Sequence, residues 1–258
     1  MSRDVSARLA QALLALFLVF AALTPQAMAQ ADVRGQWSTL NYSMTINPIH
    51  VALMHNGKIL VVTGSGNCPP SQSGCPSGPP YNGSNHSGAV VLDPVAKSIA
   101  QLSVAWDMFC NGMTMLPDGR VLVNGGTLAY DPFRGIQKTS LFDPATNSFT
   151  DVQSMAHGRW YPTVTLLSDG RVMTFSGADE NGNSNTTVEI YTVGSGWSSP
   201  VDAGWIPPQY PRMHLLPNGK VFYSGWSPTS MLFNPSGQSW TTVAVSYTHL
   251  TLPTILRV

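Results

Sequence analysis

The sequence predicts an all-β protein, a β-propeller in which four-stranded antiparallel sheets repeat as blades. One observation is a unit that occurs four times, an Asn-Gly or Asp-Gly turn followed by a hydrophobic run: HNGKILVVTGSG, LPDGRVLVNGG, LSDGRVMTFSG and LPNGKVFYSG. A second is the spacing of 62, 51 and 49 residues between the turn glycines, which are Gly57, Gly119, Gly170 and Gly219. A third is the composition, with 10% charged residues, 23 Gly and 20 Pro, which is typical of many short strands joined by tight turns.

Each hairpin is followed by a further hydrophobic segment that carries its own turn signal. The four segments are VVLDPVAKSIA, SLFDPATNSFT, VEIYTVGSGWS and SMLFNPSGQSW. Four strands repeated about every 50 residues match the period of kelch-type propellers, in which seven blades are usual for the family considered below. The loop from Cys68 to Ser87 lengthens the first interval. We therefore expect a partial kelch-like propeller of about four blades over residues 30–244.

The first 29 residues have the features of a secretory signal peptide. Arg3 and Arg8 precede the apolar segment ALLALFLVFAAL, and AMA supplies a small-residue cleavage site, so that the mature chain is expected to begin near Gln30. The alternative is an uncleaved membrane anchor, although the apolar segment is short for a membrane span. The sequence thus predicts a secreted protein, extracellular or periplasmic, with no membrane attachment after signal cleavage.

The charge balance argues against a nucleic-acid partner. Lys and Arg number 13, Asp and Glu also number 13, and no basic cluster is present. A protein that binds nucleic acid through phosphates needs a concentration of positive charge.

The three cysteines divide into a pair and a remainder. Cys68 and Cys75 flank the short loop NCPPSQSGCPSGPP, and in an oxidising compartment they are expected to form a disulfide. Cys110 is then left without a partner. Two interpretations remain open at this point, a buried small hydrophobe or a thiol committed to chemistry.

Alignment of the repeats by their turns places Cys110 at a defined position. It stands eight residues before Asp118 of its turn, as Tyr161 and Tyr210 stand eight residues before theirs. These three positions should therefore be equivalent, each at the start of the innermost strand of its blade. Inner strands of neighbouring blades approach one another at the propeller axis, where ligand sites gather. We expect Cys110 and Tyr161 to be neighbours.

The motifs around these residues, DMFCNG and GRWYPTVTLLSDGR, resemble those of the copper-radical oxidase family, which includes galactose oxidase and especially glyoxal oxidase. The resemblance extends from about Asn47 to about Thr242. It implies that Cys110 and Tyr161 are joined by a thioether, and that Tyr161 is a copper ligand and a stored one-electron oxidant. It also implies oxidation of small aldehydes or primary alcohols, with carbohydrates as candidate substrates, while dioxygen is reduced to hydrogen peroxide.

The family's other copper ligands have no counterpart in the sequence. They are a Tyr followed directly by His and a later His, and no YH dipeptide occurs. We therefore interpret the chain as the N-terminal part of such an oxidase and expect it to be inactive by itself. Residues 245–258, VSYTHLTLPTILRV, break the blade pattern and are interpreted as a non-native tail, the alternative being a genuine edge strand. His249 is accordingly not proposed as a ligand.

Several further residues near the predicted inner strands have competing interpretations. His50 and His214 are expected to be structural and hydrogen-bonded rather than ligands. Tyr210 could line a pocket or pack in the core. Asp179 and Glu180 are expected to lie in a solvated loop.

Shielding of the Tyr161 ring is not expected from the loop that provides it in galactose oxidase, because Ala178 and Asp179 occupy the matching positions. Trp160 should point away from Tyr161, since neighbours alternate along a strand, and should pack between blades. A rival function is a kelch propeller that binds a glycan or protein without catalysis.

Overall fold

The computed structural model describes residues 41, 43–63, 88–225 and 229–243. Contacts divide the chain between Ser43 and Met44, and every strand below belongs to the unit that begins at Met44. The predicted signal peptide, the Cys68 and Cys75 pair and the tail lie outside the described residues. No helix in the described ranges has the length and apolar character needed to cross a membrane.

Four antiparallel sheets of at least four strands follow one another along the chain, and we refer to them as blades 1 to 4. Blade 1 contains β1 (His50–Leu53), β2 (Ile59–Val62), β3 (Ala89–Asp93) and β4 (Ser98–Leu102). Blade 2 contains β5 (Gly112–Met115), β6 (Val121–Asn124), β9 (Thr139–Asp143) and β10 (Ser148–Asp151). Blade 3 contains β11 (Thr163–Leu166), β12 (Val172–Phe175), β13 (Thr187–Thr192), β14 (Gly196–Trp197) and β15 (Val201–Asp202). Blade 4 contains β16 (Met213–Leu215), β17 (Val221–Tyr223), β18 (Ser230–Asn234) and β19 (Ser239–Val243).

The predicted hairpins connect the first two strands of each blade. In blade 2, Met115 pairs with Val121 across the turn, and in blade 3 Leu166 pairs with Val172 in the same register. The turn glycines have positive φ, for example +87° at Gly119 and +84° at Gly170, a conformation that glycine adopts without steric cost. The all-β propeller fold predicted from the sequence is confirmed.

The hydrophobic core consists of three layers, each between two consecutive blades. The second strand of blades 1 to 3 is buried over nearly its whole length. In blades 2 and 3 this is because both faces of the strand meet a neighbouring sheet. Each layer is one cluster with members from both blades, for example Val62 and Val121 between blades 1 and 2, Leu122 and Val172 between blades 2 and 3, and Phe175 and Val221 between blades 3 and 4. The first strands β1, β5, β11 and β16 contact one another in sequence, so that residues just before them are brought close together.

One element was not predicted from the repeats. After Gly125 and Gly126 the chain leaves blade 2 and forms a two-stranded hairpin, β7 (Thr127–Tyr130) and β8 (Phe133–Gly135), before it returns to β9. The hairpin is anchored at its base, where Gly126 donates a backbone hydrogen bond to Arg159 of blade 3 at 2.8 Å. Blade 2 therefore extends over the segment that leads into β11.

Candidate functional site

Cys110, Tyr161 and Tyr210 share an unusual backbone conformation just before the first strands of blades 2, 3 and 4. Their φ angles are +61°, +68° and +46°, all in the left-handed region that residues with a side chain rarely adopt. The Tyr161 amide donates to the Cys110 carbonyl at 3.0 Å, and the Tyr210 amide donates to the Tyr161 carbonyl at 2.9 Å. The predicted equivalence of the three positions is thus observed in both conformation and hydrogen bonding.

Left-handed backbone at residues other than glycine costs of order 1–3 kcal/mol each and tends to occur at functional sites. Here the cost is offset by the hydrogen bonds that link three consecutive blades. Four other described residues share such a φ. Lys97, Asn147 and Gln238 lie in the turns before the last strands, where the conformation serves a tight turn, and Ser176 follows β12 with a φ of +72°.

The side chains of Cys110 and Tyr161 are in contact, as the alignment predicts. Cys110, which is 3% exposed, packs in a small cluster with Phe109, Trp160 and Ala178, against which Tyr161 lies. The thiol and the phenol hydroxyl are close enough for each to affect the pKa of the other.

Burial keeps both groups protonated near neutral pH. Desolvation is the main cause that raises the pKa of the Cys110 thiol to about 12, with a smaller contribution from the nearby Asp107 carboxylate and an opposing one from the Tyr161 hydroxyl. Desolvation and the contact with Cys110 also raise the pKa of Tyr161 to about 12. The thiol is therefore not a reactive thiolate, and chemistry at this pair requires oxidation or an added positive charge.

The Tyr161 ring lies between two other aromatic rings. Trp160 stacks on it with ring centroids 3.9 Å apart and planes 13° apart, and Tyr210 stacks on it at 4.7 Å and 26°. Two rings this close to one ring must lie on its opposite faces, because they cannot occupy the same space. The Tyr210 hydroxyl donates to the Asn111 carbonyl at 3.2 Å, which fixes that ring against blade 2.

The expectation that Trp160 points away from Tyr161 is wrong. Alternation of side chains holds for extended backbone, whereas the left-handed φ of Tyr161 turns its ring back over its neighbour. Trp160 does pack between blades, because Phe133 of the β7–β8 hairpin stacks on it at 4.2 Å and 11°. Ala178, at the position that lacks a shielding ring, instead exchanges two backbone hydrogen bonds of 2.8 Å with Trp160 and so holds it in place.

A fully buried ion pair supports the segment that carries these rings. Arg159 donates to Glu189 of β13 at 2.9 Å, and both side chains are 0% exposed. Arg159 also donates to the Ser176 carbonyl at 3.1 Å, and the second oxygen of Glu189 accepts from the Ala156 amide at 2.7 Å. The Ser176 hydroxyl in turn donates to the Pro208 carbonyl at 2.6 Å, which connects the network to the segment that leads to Tyr210.

Asp179 and Glu180 are expected from the sequence to lie in a solvated loop, but hydrogen bonds hold both side chains in place. Asp179 accepts hydrogen bonds from the Asn181 and Asn183 amides, both at 2.8 Å, and so shapes its own turn. Glu180 accepts from the Gly158 amide at 2.7 Å, two residues before Trp160. Hydrogen bonds to its carboxylate outweigh desolvation and lower the pKa of Glu180. Both residues therefore help to fix the segment before Tyr161.

Asp107 and Tyr130 connect the β7–β8 hairpin to the segment before Cys110. The Tyr130 hydroxyl donates to Asp107 Oδ2 at 2.7 Å, while Asp107 Oδ1 accepts from the Phe109 amide at 3.0 Å. Asp107 is 3% exposed, so its carboxylate depends on such donors for stabilisation.

The two histidines considered from the sequence differ. His214 in β16 is exposed and its Nε2 lies 3.0 Å from the Ser224 hydroxyl, which agrees with a hydrogen-bonded structural role. His50 in β1 has a buried Nε2 with no partner among the described residues, and burial lowers its pKa to about 4. Within the described ranges, no group of three or more His, Cys, Asp or Glu residues is placed to hold a metal ion.

A cavity of about 240 Å³ opens beside Tyr210, and its lining includes Gln209, Arg212, Tyr223 and Ser224. Tyr210 therefore both packs on Tyr161 and lines a pocket, so the two interpretations of this residue are compatible. No sequence pattern indicates the pairing of Arg159 with Glu189, which are 30 residues apart. The aromatic residues around the Asp-Pro turn of AYDPFRG could have indicated the hairpin.

Comparisons with known proteins find similar sequences among oxidases. A scan against models of protein families gives no match. The chain is 29% identical over 215 residues to "Aldehyde oxidase GLOX" of Vitis pseudoreticulata, which covers 76% of this chain and 39% of that protein. It is 35% identical over 115 residues to "Galactose oxidase" of Gibberella zeae, covering 45% of this chain and 14% of that protein. The chain thus spans well under half the length of these relatives.

The fold is also found among solved structures. A structure described as a novel fungal alcohol oxidase of the AA5 family, in complex with copper, matches with a TM-score of 0.61 and 19% identity, over 83% of this chain and 44% of that one. At this level of identity the likeness concerns the fold. The sequence relatives confirm the predicted resemblance: this chain is similar in sequence to proteins of the galactose oxidase and glyoxal oxidase type.

Proposed function

We propose that this chain is the N-terminal part of a secreted copper-radical oxidase in which Cys110 and Tyr161 form a thioether-linked cofactor. The substrates would be small aldehydes or primary alcohols, oxidised with reduction of dioxygen to hydrogen peroxide. The observation that carries the proposal is the packing of Tyr161 against the cluster that contains the buried Cys110, at equivalent positions of consecutive blades.

The surroundings of the pair suit a stored oxidant. The Tyr161 ring is covered on one face by Trp160 and on the other by Tyr210, which limits access of water and reductants. A sulfur substituent delocalises unpaired spin, so a thioether to Cys110 would make the phenol easier to oxidise. In the proposed reaction, oxidised Tyr161 takes a hydrogen atom from the substrate carbon.

Copper, when bound, would supply the second oxidising equivalent and the site of dioxygen reduction. The phenolate oxygen of Tyr161 is a suitable ligand, and a bound cation would favour its deprotonation despite the raised pKa. The described residues do not complete a copper site, because no cluster of His, Cys, Asp or Glu accompanies Tyr161. The remaining ligands are expected in the part of the relatives that this chain does not span.

The cavity beside Tyr210 is the candidate entrance for substrate. It is of a size for a small molecule, and Arg212 provides a positive charge at its wall. Because Tyr210 also stacks on Tyr161, the ring of Tyr210 would separate a molecule in the cavity from the proposed cofactor. The remaining blades would also contribute to substrate selection. We therefore propose substrates only by class, as small aldehydes and primary alcohols.

The test uses protein expressed from the complete reading frame that contains this segment. Incubation with copper(II) in air should remove two hydrogens and yield a crosslinked peptide that contains Cys110 and Tyr161, and substrate should then produce peroxide. Tyr161→Phe should abolish both results, whereas Tyr191→Phe, on the far side of blade 3, should retain them. A Cys110 that still alkylates fully after copper treatment would refute the proposal.

A further inference from the structure

We propose that Trp160 is an electron relay, which carries electrons from Tyr161 to a one-electron oxidant at the protein surface around Phe133. The inference rests on the proposed coupling of Cys110 with Tyr161 and adds a route by which that coupling can be driven without copper. The three aromatic rings that form this route are stacked continuously from the surface to the buried thiol.

The geometry favours electron exchange along the stack. The ring planes of Phe133, Trp160 and Tyr161 are nearly parallel, with angles of 11° and 13° between successive planes. The centroid distances are 4.2 Å and 3.9 Å, so the π systems are in van der Waals contact at both steps. Electronic coupling between rings falls steeply with distance and is strong only at such contact.

Phe133 is the most exposed of the three rings in the stack. It is 45% exposed, whereas Trp160 is 7% exposed, Cys110 is 3% exposed and Tyr161 is partly buried. A bulky oxidant can therefore touch Phe133 over a large area, while the thiol is buried and the faces of the Tyr161 ring are covered by Trp160 and Tyr210. Phe133 is too difficult to oxidise to hold the charge itself, and it serves as the contact through which an electron leaves Trp160.

The indole nitrogen provides a second, independent observation. Trp160 Nε1 is buried and has no hydrogen-bond partner among the described residues. Trp106 Nε1 donates to the Ser140 hydroxyl and Trp197 Nε1 donates to the Thr139 hydroxyl, whereas Trp205 and Trp240 share the unpartnered state but pack on Phe175, outside this stack. An oxidised Trp160 without an acceptor retains its proton and remains a radical cation. That species is a stronger oxidant than the deprotonated indole radical, so it passes its charge to Tyr161.

The reaction balances as a two-electron oxidation of the pair. The first oxidant accepts one electron through Trp160, and Tyr161 loses its phenolic proton to solvent. The Cys110 sulfur then bonds to the ring carbon beside the hydroxyl-bearing carbon and releases the thiol proton. A second oxidant accepts the second electron by the same route, and the displaced ring hydrogen moves to the oxygen to restore the phenol. In total, two electrons reach the oxidant and two protons reach solvent.

The experiment treats this chain, free of copper and oxygen, with hexachloroiridate(IV), a bulky one-electron oxidant. The rate of thioether formation is measured by mapping the crosslinked peptide of Cys110 and Tyr161. Trp160→Phe keeps a stacked ring but removes the oxidisable one, and it should slow the reaction roughly tenfold or more. Trp160→Tyr differs from that variant by one hydroxyl and should restore most of the rate. Leu128→Ala, an exposed apolar position on the same hairpin, should leave the rate unchanged.

Equal rates of thioether formation in the original chain and in Trp160→Phe would overturn the relay. A rate in Trp160→Tyr as low as in Trp160→Phe would also overturn it, because the packing of Trp160 alone would then explain the loss. Thermal melts identify any variant that does not fold. A second measurement does not depend on the folding of Trp160→Tyr. It compares Cys110→Ser with the double variant Cys110→Ser and Trp160→Phe, and the relay predicts that the double variant reduces hexachloroiridate more slowly.

The same measurements separate this inference from the proposed function. If copper in air forms the thioether in the complete protein but the hexachloroiridate rates do not depend on Trp160, the relay is wrong and the oxidase proposal stands. If neither reagent forms a thioether, the proposed cofactor is wrong, and the Cys110→Ser comparison still decides whether Trp160 carries electrons from the stack.

Discussion

Arg159 and Glu189 form an ion pair at 2.9 Å with both side chains entirely buried. Arg159 immediately precedes Trp160 and Tyr161, and Glu189 lies in the centre of β13, so the pair attaches the candidate site to the middle of blade 3. The Arg159 carbonyl also accepts from Gly126, which attaches the same residue to the base of the β7–β8 hairpin. The position of the Trp160 and Tyr161 rings therefore depends on a charge pair that contacts neither ring.

Removal of one partner of this pair should be strongly destabilising. Glu189→Leu leaves the guanidinium buried without its counter-charge, and we expect a loss of about 3–5 kcal/mol in the free energy of unfolding. The double variant Arg159→Met with Glu189→Leu should recover much of this loss, because no buried charge remains. Urea titrations followed by tryptophan fluorescence measure both values.

The exposed pair of Arg171 and Asp169 provides the matched control. Its nitrogen to oxygen distance is 2.7 Å, shorter than that of the buried pair, yet its side chains are 31% and 50% exposed. Arg171→Met should therefore cost no more than about 1 kcal/mol. Similar losses at the two sites would show that burial does not determine the energetics and would contradict the prediction.

The turns before the last strands allow a comparison among equivalent positions. Lys97, Asn147 and Gln238 occupy the same place in blades 1, 2 and 4, with φ angles of +53°, +52° and +46°. Glycine relieves the steric cost of this conformation, so Lys97→Gly and Gln238→Gly should each stabilise the chain by about 0.5–1 kcal/mol. Asn147→Gly should change little, because Asn already tolerates this region. Differential scanning calorimetry measures the stability gained by each variant. A larger gain in Asn147→Gly than in Lys97→Gly and Gln238→Gly would contradict the prediction.

Local sequence patterns were sufficient to predict the blades and the position of the site residues relative to the hairpin turns. The Asn-Gly and Asp-Gly turns fix the hairpin register, and counting from them placed Cys110 beside Tyr161 although 51 residues separate them. The stack of Trp160 on Tyr161 could not be predicted in this way. The rule of alternation assumes extended backbone, and nothing local in WYPT indicates a φ of +68°.

The supporting contacts depend on tertiary structure and were equally inaccessible from the sequence. Arg159 finds Glu189 only after β12 and β13 have paired, and Phe133 reaches Trp160 only because the hairpin folds over the next blade. Such contacts between distant segments have no periodic signature. This explains why the fold and the central pair were predictable, while the residues that surround and hold them were not.

The raised pKa of Cys110 gives an alkaline dependence of stability. The thiol ionises at its ordinary pKa of 9.0 in the unfolded chain but at about 12 when folded, so the folded state binds more protons between these values. Its stabilising contribution is complete below pH 9 and is lost as the pH rises toward 12. The free energy of unfolding should fall over this range, and less steeply in Cys110→Ser, whose hydroxyl does not ionise.

Alkylation checks the same titration at a single residue. In the folded chain at pH 8, Cys110 should react with iodoacetamide far more slowly than in urea, since it is both buried and protonated. Peptide mapping distinguishes it from Cys68 and Cys75. Fast labelling of Cys110 in the folded chain at neutral pH would contradict the buried, protonated state.

Tyr210 should protect one face of Tyr161 through its ring and not through its hydroxyl. Tyr210→Phe keeps the ring stacked at the observed 4.7 Å and loses the long hydrogen bond to Asn111, so we expect a cost of about 0.5–1.5 kcal/mol and no change in the reactivity of Tyr161. Tyr210→Ala removes the ring, and Tyr161 should then be nitrated faster by tetranitromethane, as measured by peptide mapping. Nitration of Tyr191 in the same samples is the internal control, since it lies in the outer part of blade 3 against Trp197. If Tyr210→Phe exposes Tyr161 as much as Tyr210→Ala does, the hydroxyl anchor is what holds the two rings together.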